Sequence, residues 1–449
     1  MSDLTGRTVA IVGGATAGAE IAAKLSDAGA TVVVFEQNPK PYGKIEDGLP
    51  RWHRAQRLKE YGVIDDKLDR ERVWFVPKTK FGIDVSLEDL ERRWGFQIVI
   101  LALGAWRDRP LPLDGANELV GRGLVYQNPF IYWFNHKHEP DYDGEHFETP
   151  DGAMVIGGGL ASIDVAKVMM LESVARALAE RGVEVDPVEM EHKGIDKTLA
   201  AHNIEFESLG LRGATVCYRK RREDMPLVGM PPDADEKRRD KVFASRLRVA
   251  DKAMGKYLFK IEPLMSPESL IVEDDRVTGI RFQQMEERDG KVVRGESLVE
   301  RRGSLVVSSI GSIPEPLPGV PMKGELFDFE VLDAEKDIVR LSGHPLVFGA
   351  GNAVTGKGNI VASRKHGSEV AARVQAWILS ESDEPPVDPE KHRQHASDVG
   401  DAVAEALASM EPVEASAMAS LKNRVEGRWN AVGYDGNYRS WIASFGHSS

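Results

Sequence analysis

Cysteine is nearly absent. Cys217 is the one cysteine in 449 residues, and it stands inside an apolar run. That excludes a disulfide framework, a Cys-x-x-Cys redox pair and a cysteine-ligated iron–sulfur cluster in this chain. Long apolar runs are also missing. None approaches the roughly 18 residues that mark a membrane helix, so no membrane span is expected. Met1 to Thr8 shows no basic stretch followed by an apolar one, so no secretory signal is expected and the default is a soluble protein of the cytoplasm. Basic excess is missing too. Lys and Arg number 58 against 71 Asp and Glu, a formal net charge of −13. A general nucleic-acid or anionic-membrane role is thereby disfavoured, while a local basic patch stays open. No metal-ligating constellation is read from the sequence.

What is present is a glycine pattern that occurs twice. With 42% apolar residues the chain is long enough for two or three domains with real cores. Ala10-Ile-Val-Gly13-Gly-Ala-Thr-Ala-Gly18 and Met154-Val-Ile-Gly157-Gly-Gly159-Leu-Ala-Ser162 each run from an apolar strand through a glycine turn into a helix. Such a turn lets the backbone approach a pyrophosphate and aims a helix N-terminus at it. Two in series suggest a flavin and a nicotinamide held face to face. The single cysteine then excludes a flavin enzyme that works through its own dithiol.

In the first half, Thr8 to Val12 reads as a strand, Ala19 to Ala28 as its helix, and Ala30 to Phe35 as a buried parallel strand. Glu36 closes that strand. A carboxylate there accepts both hydroxyls of an adenosine ribose and repels a 2′-phosphate, which favours FAD or NAD over NADP. Ala15 stands at the middle glycine position, a departure from the pattern; a turn without ligand is the alternative. Phe96-Gln-Ile-Val-Ile-Leu-Ala-Leu-Gly104 is expected to be another buried strand whose exit closes over the dinucleotide. Between them, Pro39 to Pro50 is dense in Pro, Gly and charge, and a helix follows with Trp52 and His53 near its start.

In the second half, Ser162 takes the third-glycine position and still lets helix and strand lie close. Gly213-Ala-Thr-Val-Cys-Tyr218 reads as the next strand, delayed by a mostly helical insertion at about residues 172–210. It ends in Arg219-Lys-Arg-Arg222. Arginine forks suit a phosphate and lysine adds a point charge, so Arg219, Lys220 and Arg222 favour NADP here, with NAD as the alternative. The competing reading is a solvated basic loop balanced by Glu223 and Asp224. Further on, Leu227 to Lys252 reads as helical and 270–310 as short strands. Gly343 to Asn352 reads as a strand with a glycine-rich exit, and Val354 to Ala371 as a helix start. Residues 383–395 read as a tether. Residues 396–449 suggest helices and an aromatic tail, Trp429 to Trp441, docked on the core or on another subunit.

The set of motifs resembles the two-domain flavoprotein family that includes adrenodoxin reductase, bacterial ferredoxin–NADP reductases of that type and the small subunit of glutamate synthase. The match runs over roughly residues 5–375. It is carried by Phe35-Glu-Gln-Asn-Pro-Lys-Pro-Tyr-Gly43 with Asp47-Gly-Leu-Pro50, by Ile98 to Ala105, by Asn128 to Asn135, by Ala161 to Ala166, and by Tyr218 to Pro226. The resemblance implies an α/β fold with two Rossmann-like three-layer dinucleotide-binding domains, the second inserted in the first, and a helical C-terminal extension. The expected division is 1–149 and 309–382 for FAD, 150–308 for NAD(P)H, and 383–449 for the extension. It implies FAD at Gly13, Gly18, Glu36, Gly43 and Gly104, and NADPH at Gly157, Gly159, Arg219, Lys220 and Arg222. Gly351 and Asn352 stand beside the flavin, where relatives carry an aspartate or tryptophan after the glycine; asparagine there still hydrogen-bonds but brings no charge. Lys357 would add positive charge near the flavin. His53 matches a histidine near the flavin and the electron-acceptor side, and Asp164 an aspartate just after the nicotinamide loop; a surface helix residue and a packing hydrogen bond are the alternatives.

The expected activity is hydride transfer from NADPH to FAD and single electrons onward to a ferredoxin or an iron–sulfur subunit. A flavin monooxygenase or oxidase, or a non-catalytic flavoprotein subunit, are the alternatives. A docking patch around Arg51, Arg54 and Arg57, or attachment through the C-terminal extension, would serve the partner.

Overall fold

In the computed structural model, residues 3–231, 234–355 and 389–446 are described. Two sheets organise them, the first mixed and the second parallel throughout. The first has seven strands, in the order Phe329–Asp333, Ile338–Leu341, Val347–Gly349, Ile98–Leu101, Thr8–Val12, Thr31–Phe35, Val73–Val76. Its central strands are parallel, with Val12 beside both Phe35 and Leu101. Thr8–Val12 and Thr31–Phe35 are buried along their whole length. Helices and loops cover both faces, as near-continuous Val and Ile runs require.

The second sheet has five parallel strands, in the order Leu124–Tyr126, Val306–Ser309, Met154–Gly157, Thr215–Tyr218, Lys260–Pro263. Its edge strand Leu124–Tyr126 precedes the expected boundary at 149/150. That boundary is corrected, because the sheet recruits a short strand that carries no fingerprint and gives no local signal. Residues 270–310 depart from the expectation of short strands. Arg276–Arg288 and Lys291–Arg302 are long, and with Met265–Glu273 they form a separate antiparallel sheet. Its faces are lined by ion pairs such as Arg281–Glu300 and Arg302–Glu273.

The chain crosses between the two sheets twice, and the crossings pair with each other. Arg107 lies opposite Ile313 and Asp108 opposite Ser312 in an antiparallel ribbon.

The C-terminal helices belong to the first sheet's core. Val399, Val403 and Leu407 of the Pro389–Ala408 helix bury with Ile21 and Leu25 of the Thr16–Asp27 helix. The aromatic tail docks on the same body: Trp429 Nε1 donates to Phe75 O at 2.8 Å and Trp441 Nε1 to Pro39 O at 2.7 Å. Tyr438 donates to Asp65 at 2.7 Å. Of the two expectations for these aromatics, the structure takes packing on the chain's own core. Residues 383–388 of the expected tether, most of the helix from Val354 and Lys357 lie outside the described residues; 389–395, expected as tether, are the start of the Pro389–Ala408 helix. No helix among the described residues is long and apolar enough to cross a membrane.

Candidate functional site: two crevices at two strand switch points

Both glycine turns stand where the strand order reverses. In the first sheet the chain moves from Thr8–Val12 outward one way, then returns to place Ile98–Leu101 on the other side. In the second it does the same around Met154–Gly157 and Val306–Ser309. A crevice opens at the carboxyl ends of the strands at each such point, and ligands of open α/β sheets bind there.

The first crevice is built by close backbone approach. Gly13 has φ +102°, and a Cβ on it would lie 2.5 Å from Ala102 O. A Cβ on Gly18 would lie 1.9 Å from Gly13 O. Ala15, the departure from the pattern, caps the Thr16–Asp27 helix, and its methyl faces Gly43, where a Cβ would come within 3.0 Å. The missing side chain at Gly43 makes room for the extra methyl. Gly351 packs over the same helix start, its would-be Cβ 3.1 Å from the Ala17 methyl, and exposed Asn352 follows. Gly104 completes the rim beside Trp106. The structure therefore gathers Gly13, Ala15, Gly18, Gly43, Gly104 and Gly351 around one helix N-terminus.

Glu36 lines this cleft and is 5% exposed. Its carboxylate accepts the Gly14 N–H at 2.9 Å and the Asn38 N–H at 3.0 Å. Burial pushes its pKa up to about 7, against the pull of those two donors. The arrangement fits an adenosine ribose: a carboxylate anchored to the glycine loop, open to the cleft, with acceptor lone pairs remaining. The steric cradle at Gly13 fits a pyrophosphate in the same way.

The second crevice repeats the geometry with different chemistry. A Cβ on Gly157 would lie 2.2 Å from Ser309 O. Ser162 donates through Oγ to Ser309 O at 3.1 Å, and Ser309 Oγ donates to Gln127. The Tyr218 ring packs on Gly158. Gly159 caps the Leu160–Ala179 helix with open space where a Cβ would stand. The basic strand end is sorted into two kinds. Arg221 binds Asp224 at 2.9 Å and Glu287 at 3.0 Å, and Arg222 binds Asp251 at 2.9 Å. Arg219 and Lys220 are exposed and in no ion pair among the described residues.

His53 and Asp164 come together in one cluster, at the seam between the two bodies rather than on a surface helix. His53 is 2% exposed, and burial, then the nearby Lys167 charge, push its pKa down to about 3. It is therefore a neutral imidazole at physiological pH. Asp164 Oδ1 lies 3.8 Å from Lys167 Nζ, and burial raises its pKa to about 6. Between them runs a pair that the sequence did not reveal: Lys167 Nζ to Glu191 at 2.5 Å, with Tyr257 donating to Glu191 at 2.6 Å. Lys167 also sits 4.3 Å from the Trp52 ring centroid. Glu191 comes from the helical insertion, whose partner across the seam no local pattern announces.

The expected basic patch does not assemble. Arg57 is buried and donates to the Tyr61 hydroxyl at 3.0 Å. Arg51 is half-buried, with Asp186 and Glu172 as its nearest charges of opposite sign. Arg54 alone of the three is exposed. Cys217 is buried, and its pKa is pushed up to about 12 by burial, so it offers no thiolate.

Residues 7–207 match the family model described as pyridine nucleotide-disulphide oxidoreductase. The glutamate synthase [NADPH] small chain of Mycobacterium tuberculosis is 29% identical over 404 residues, covering 86% of this chain and 70% of that protein. NADPH:adrenodoxin oxidoreductase of Arabidopsis thaliana is 30% identical over 166 residues, 36% of this chain and 33% of that one. Among solved structures, FprA, a Mycobacterium tuberculosis oxidoreductase, superposes with a TM-score of 0.65 at 19% identity, over 94% of this chain and 90% of that one. Its complex with NADPH gives 0.59 at 22% identity, over 89% and 90%. The likeness to the family model covers residues 7–207, and the likeness to the FprA structures is one of fold over nearly the whole chain.

Proposed function

We propose that this chain takes NADPH at the second crevice and FAD at the first, and passes single electrons onward to an iron–sulfur centre on a partner chain. The observation that carries this reading is the opposition of the two strand ends: a buried carboxylate, Glu36, at one and the exposed cations Arg219 and Lys220 at the other. When bound, FAD supplies the exchange between two-electron and one-electron chemistry. The residues of the chain bind and orient. Glu36 accepts from ribose hydroxyls, the Thr16–Asp27 helix start and the Gly13 turn take the pyrophosphate, and Asn352 offers a neutral hydrogen-bonding group at the rim. Gly157, Gly159 and Ser162 shape the second turn. Arg219 and Lys220 take the 2′-phosphate, while Arg222 is held back by Asp251. His53, neutral in its buried setting, and Asp164 line the seam and support the approach of the two crevices without moving a proton.

The choice of an iron–sulfur acceptor is supported by the inert Cys217, which removes an internal dithiol route, and by the likeness to the glutamate synthase small chain and the adrenodoxin oxidoreductase. The test is anaerobic. NADPH should bleach the bound flavin faster than NADH does, and the reduced protein should then reduce a purified ferredoxin. Electrons that pass only to oxygen, with a hydroxylated product, would favour a monooxygenase instead.

A further inference from the structure

At the crossing ribbon, beside the first crevice, lies a cleft of about 690 Å³. Lys44, the residue after Gly43, lines it with Trp106, Asp108 and Asn128. The Lys44 ammonium donates to Asn128 Oδ1 at 3.2 Å and to Ser312 Oγ at 3.0 Å. Both acceptors are neutral. Asn128 is itself fixed: its Nδ2 donates to Trp106 O at 2.9 Å, and its backbone N–H to the Asp108 carboxylate at 3.2 Å. Its amide oxygen is thus turned toward Lys44. An ammonium has three donors, and one remains for the cleft.

The neighbours keep this charge in place. Burial pushes the Lys44 pKa down to about 8, with the Asp108 charge opposing it, so the amine stays protonated at neutral pH. The Trp106 ring stands 5.7 Å from the ammonium and gives the cleft an aromatic wall. Trp106 also lines the Glu36 cleft, so the two spaces are neighbours that share that side chain, and Gly43 of the first is followed directly by Lys44 of the second. A dinucleotide with its adenosine end at Glu36 and its pyrophosphate at Gly13 reaches past Gly43 toward Lys44. A flat ring rich in carbonyl oxygens suits a cation beside an aromatic wall.

Resting on the FAD reading above, we propose that Lys44, aimed by Asn128, is the fixed positive charge that faces the flavin ring and makes it easier to reduce. A buried cation near the ring favours the electron-rich form. This is the part that Lys357 was expected to play.

The experiment compares FAD-loaded wild type with Lys44→Met, Lys44→Arg and Asn128→Leu. Two readouts are taken from the equilibrium for two-electron reduction against a reference dye: its position at neutral pH, and its change as pH rises past about 8, where the Lys44 ammonium loses its proton. Lys44→Met should make the flavin at least tenfold harder to reduce at neutral pH, a fall of about 30 mV, and should remove the extra change above pH 8. Asn128→Leu should shift both the same way by less, and it serves as the deciding variant if Lys44→Met does not hold FAD. Lys44→Arg should stay near wild type at neutral pH. An unchanged equilibrium at both pH values in FAD-loaded Lys44→Met, or in Asn128→Leu where that variant decides, overturns the role of Lys44 alone. Wild type that binds no FAD overturns the reading of the first crevice and this inference with it.

Discussion

The two crevices share a backbone plan and differ in what closes them. In each, the first glycine of the turn is forced by the carbonyl of the strand across the switch point, Ala102 in one body and Ser309 in the other. Past that point they diverge. The first turn is locked by glycine against backbone, Gly18 on Gly13, and its strand end is sealed by a carboxylate tied into the loop. The second is locked by hydroxyls, Ser162 on Ser309, and its strand end is left open with exposed cations. The steric rule is common to both turns, and the charge at the end of the next strand distinguishes them.

The deepest difference lies below the helices. The Leu160–Ala179 helix of the second body carries Lys167, paired with Glu191, both nearly inaccessible. Lys167→Met takes the ammonium from buried Glu191, leaving it the Tyr257 hydroxyl at 2.6 Å and His192 at 3.8 Å, and should cost about 3 kcal/mol, read as a lower midpoint in denaturant. The double replacement Lys167→Met with Glu191→Leu should recover much of that loss. If the single change were harmless, the second body would not depend on this pair.

Next in size is Gly18→Ala, whose methyl would fall on the Gly13 carbonyl. A loss of about 3 kcal/mol and poor FAD retention are expected. Gly159→Ala, with no protein atom near the added methyl, should leave stability near wild type. Equal damage from both would erase the distinction between the two turns.

Arg219→Ala should weaken NADPH by about 1.5–3 kcal/mol, with NADH almost unaffected, as measured by anaerobic titration. Lys220→Ala should act in the same direction. Arg222→Ala should do less, since Asp251 already holds that guanidinium.

The smallest effect is a slope. Glu36 holds its proton up to about pH 7 in the free protein, and ribose hydroxyls favour the carboxylate. FAD affinity should therefore fall below pH 7, by at most tenfold, or about 1.4 kcal/mol, per pH unit. The stability of the free protein carries the opposite sign. With a folded pKa above the unfolded one, the Glu36 contribution is present below the unfolded pKa of about 4.3 and is lost as pH rises through about 7. Glu36→Gln should flatten both slopes.

Much of this was legible in the sequence wherever the cause is local. Thr8–Val12, Thr31–Phe35 and Ile98–Leu101 announce themselves as buried runs, and the turns at Gly13 and Gly157 as spacing. The charge contrast between Glu36 and Arg219–Arg222 was visible, though which of the basic residues are free depends on Asp251 and Glu287, remote in sequence. Lys44 sits in a glycine loop with no periodic pattern, and the partners that aim it, Asn128 and Ser312, come from two other segments. The patch of Arg51, Arg54 and Arg57 failed for a related reason: a charged side chain in a helix reads as exposed until Tyr61 or Asp186 claims it. The boundary near 149 was misplaced because the strand Leu124–Tyr126 owes its place to the sheet it joins.

The crossing ribbon has a consequence for the order of assembly on the ribosome. The second sheet is complete once Ser309 has emerged, because all its strands lie between Leu124 and Ser309. The first sheet cannot close then. Ile98–Leu101 must wait for Val347–Gly349, its neighbour across the whole inserted body. Until that segment arrives, Val99 and Ile100 present an unpaired, apolar strand edge, a surface that recruits other chains. A nascent chain stalled before residue 347 should thus carry a finished second sheet beside an unfinished first one, and should bind a holdase chaperone through the latter.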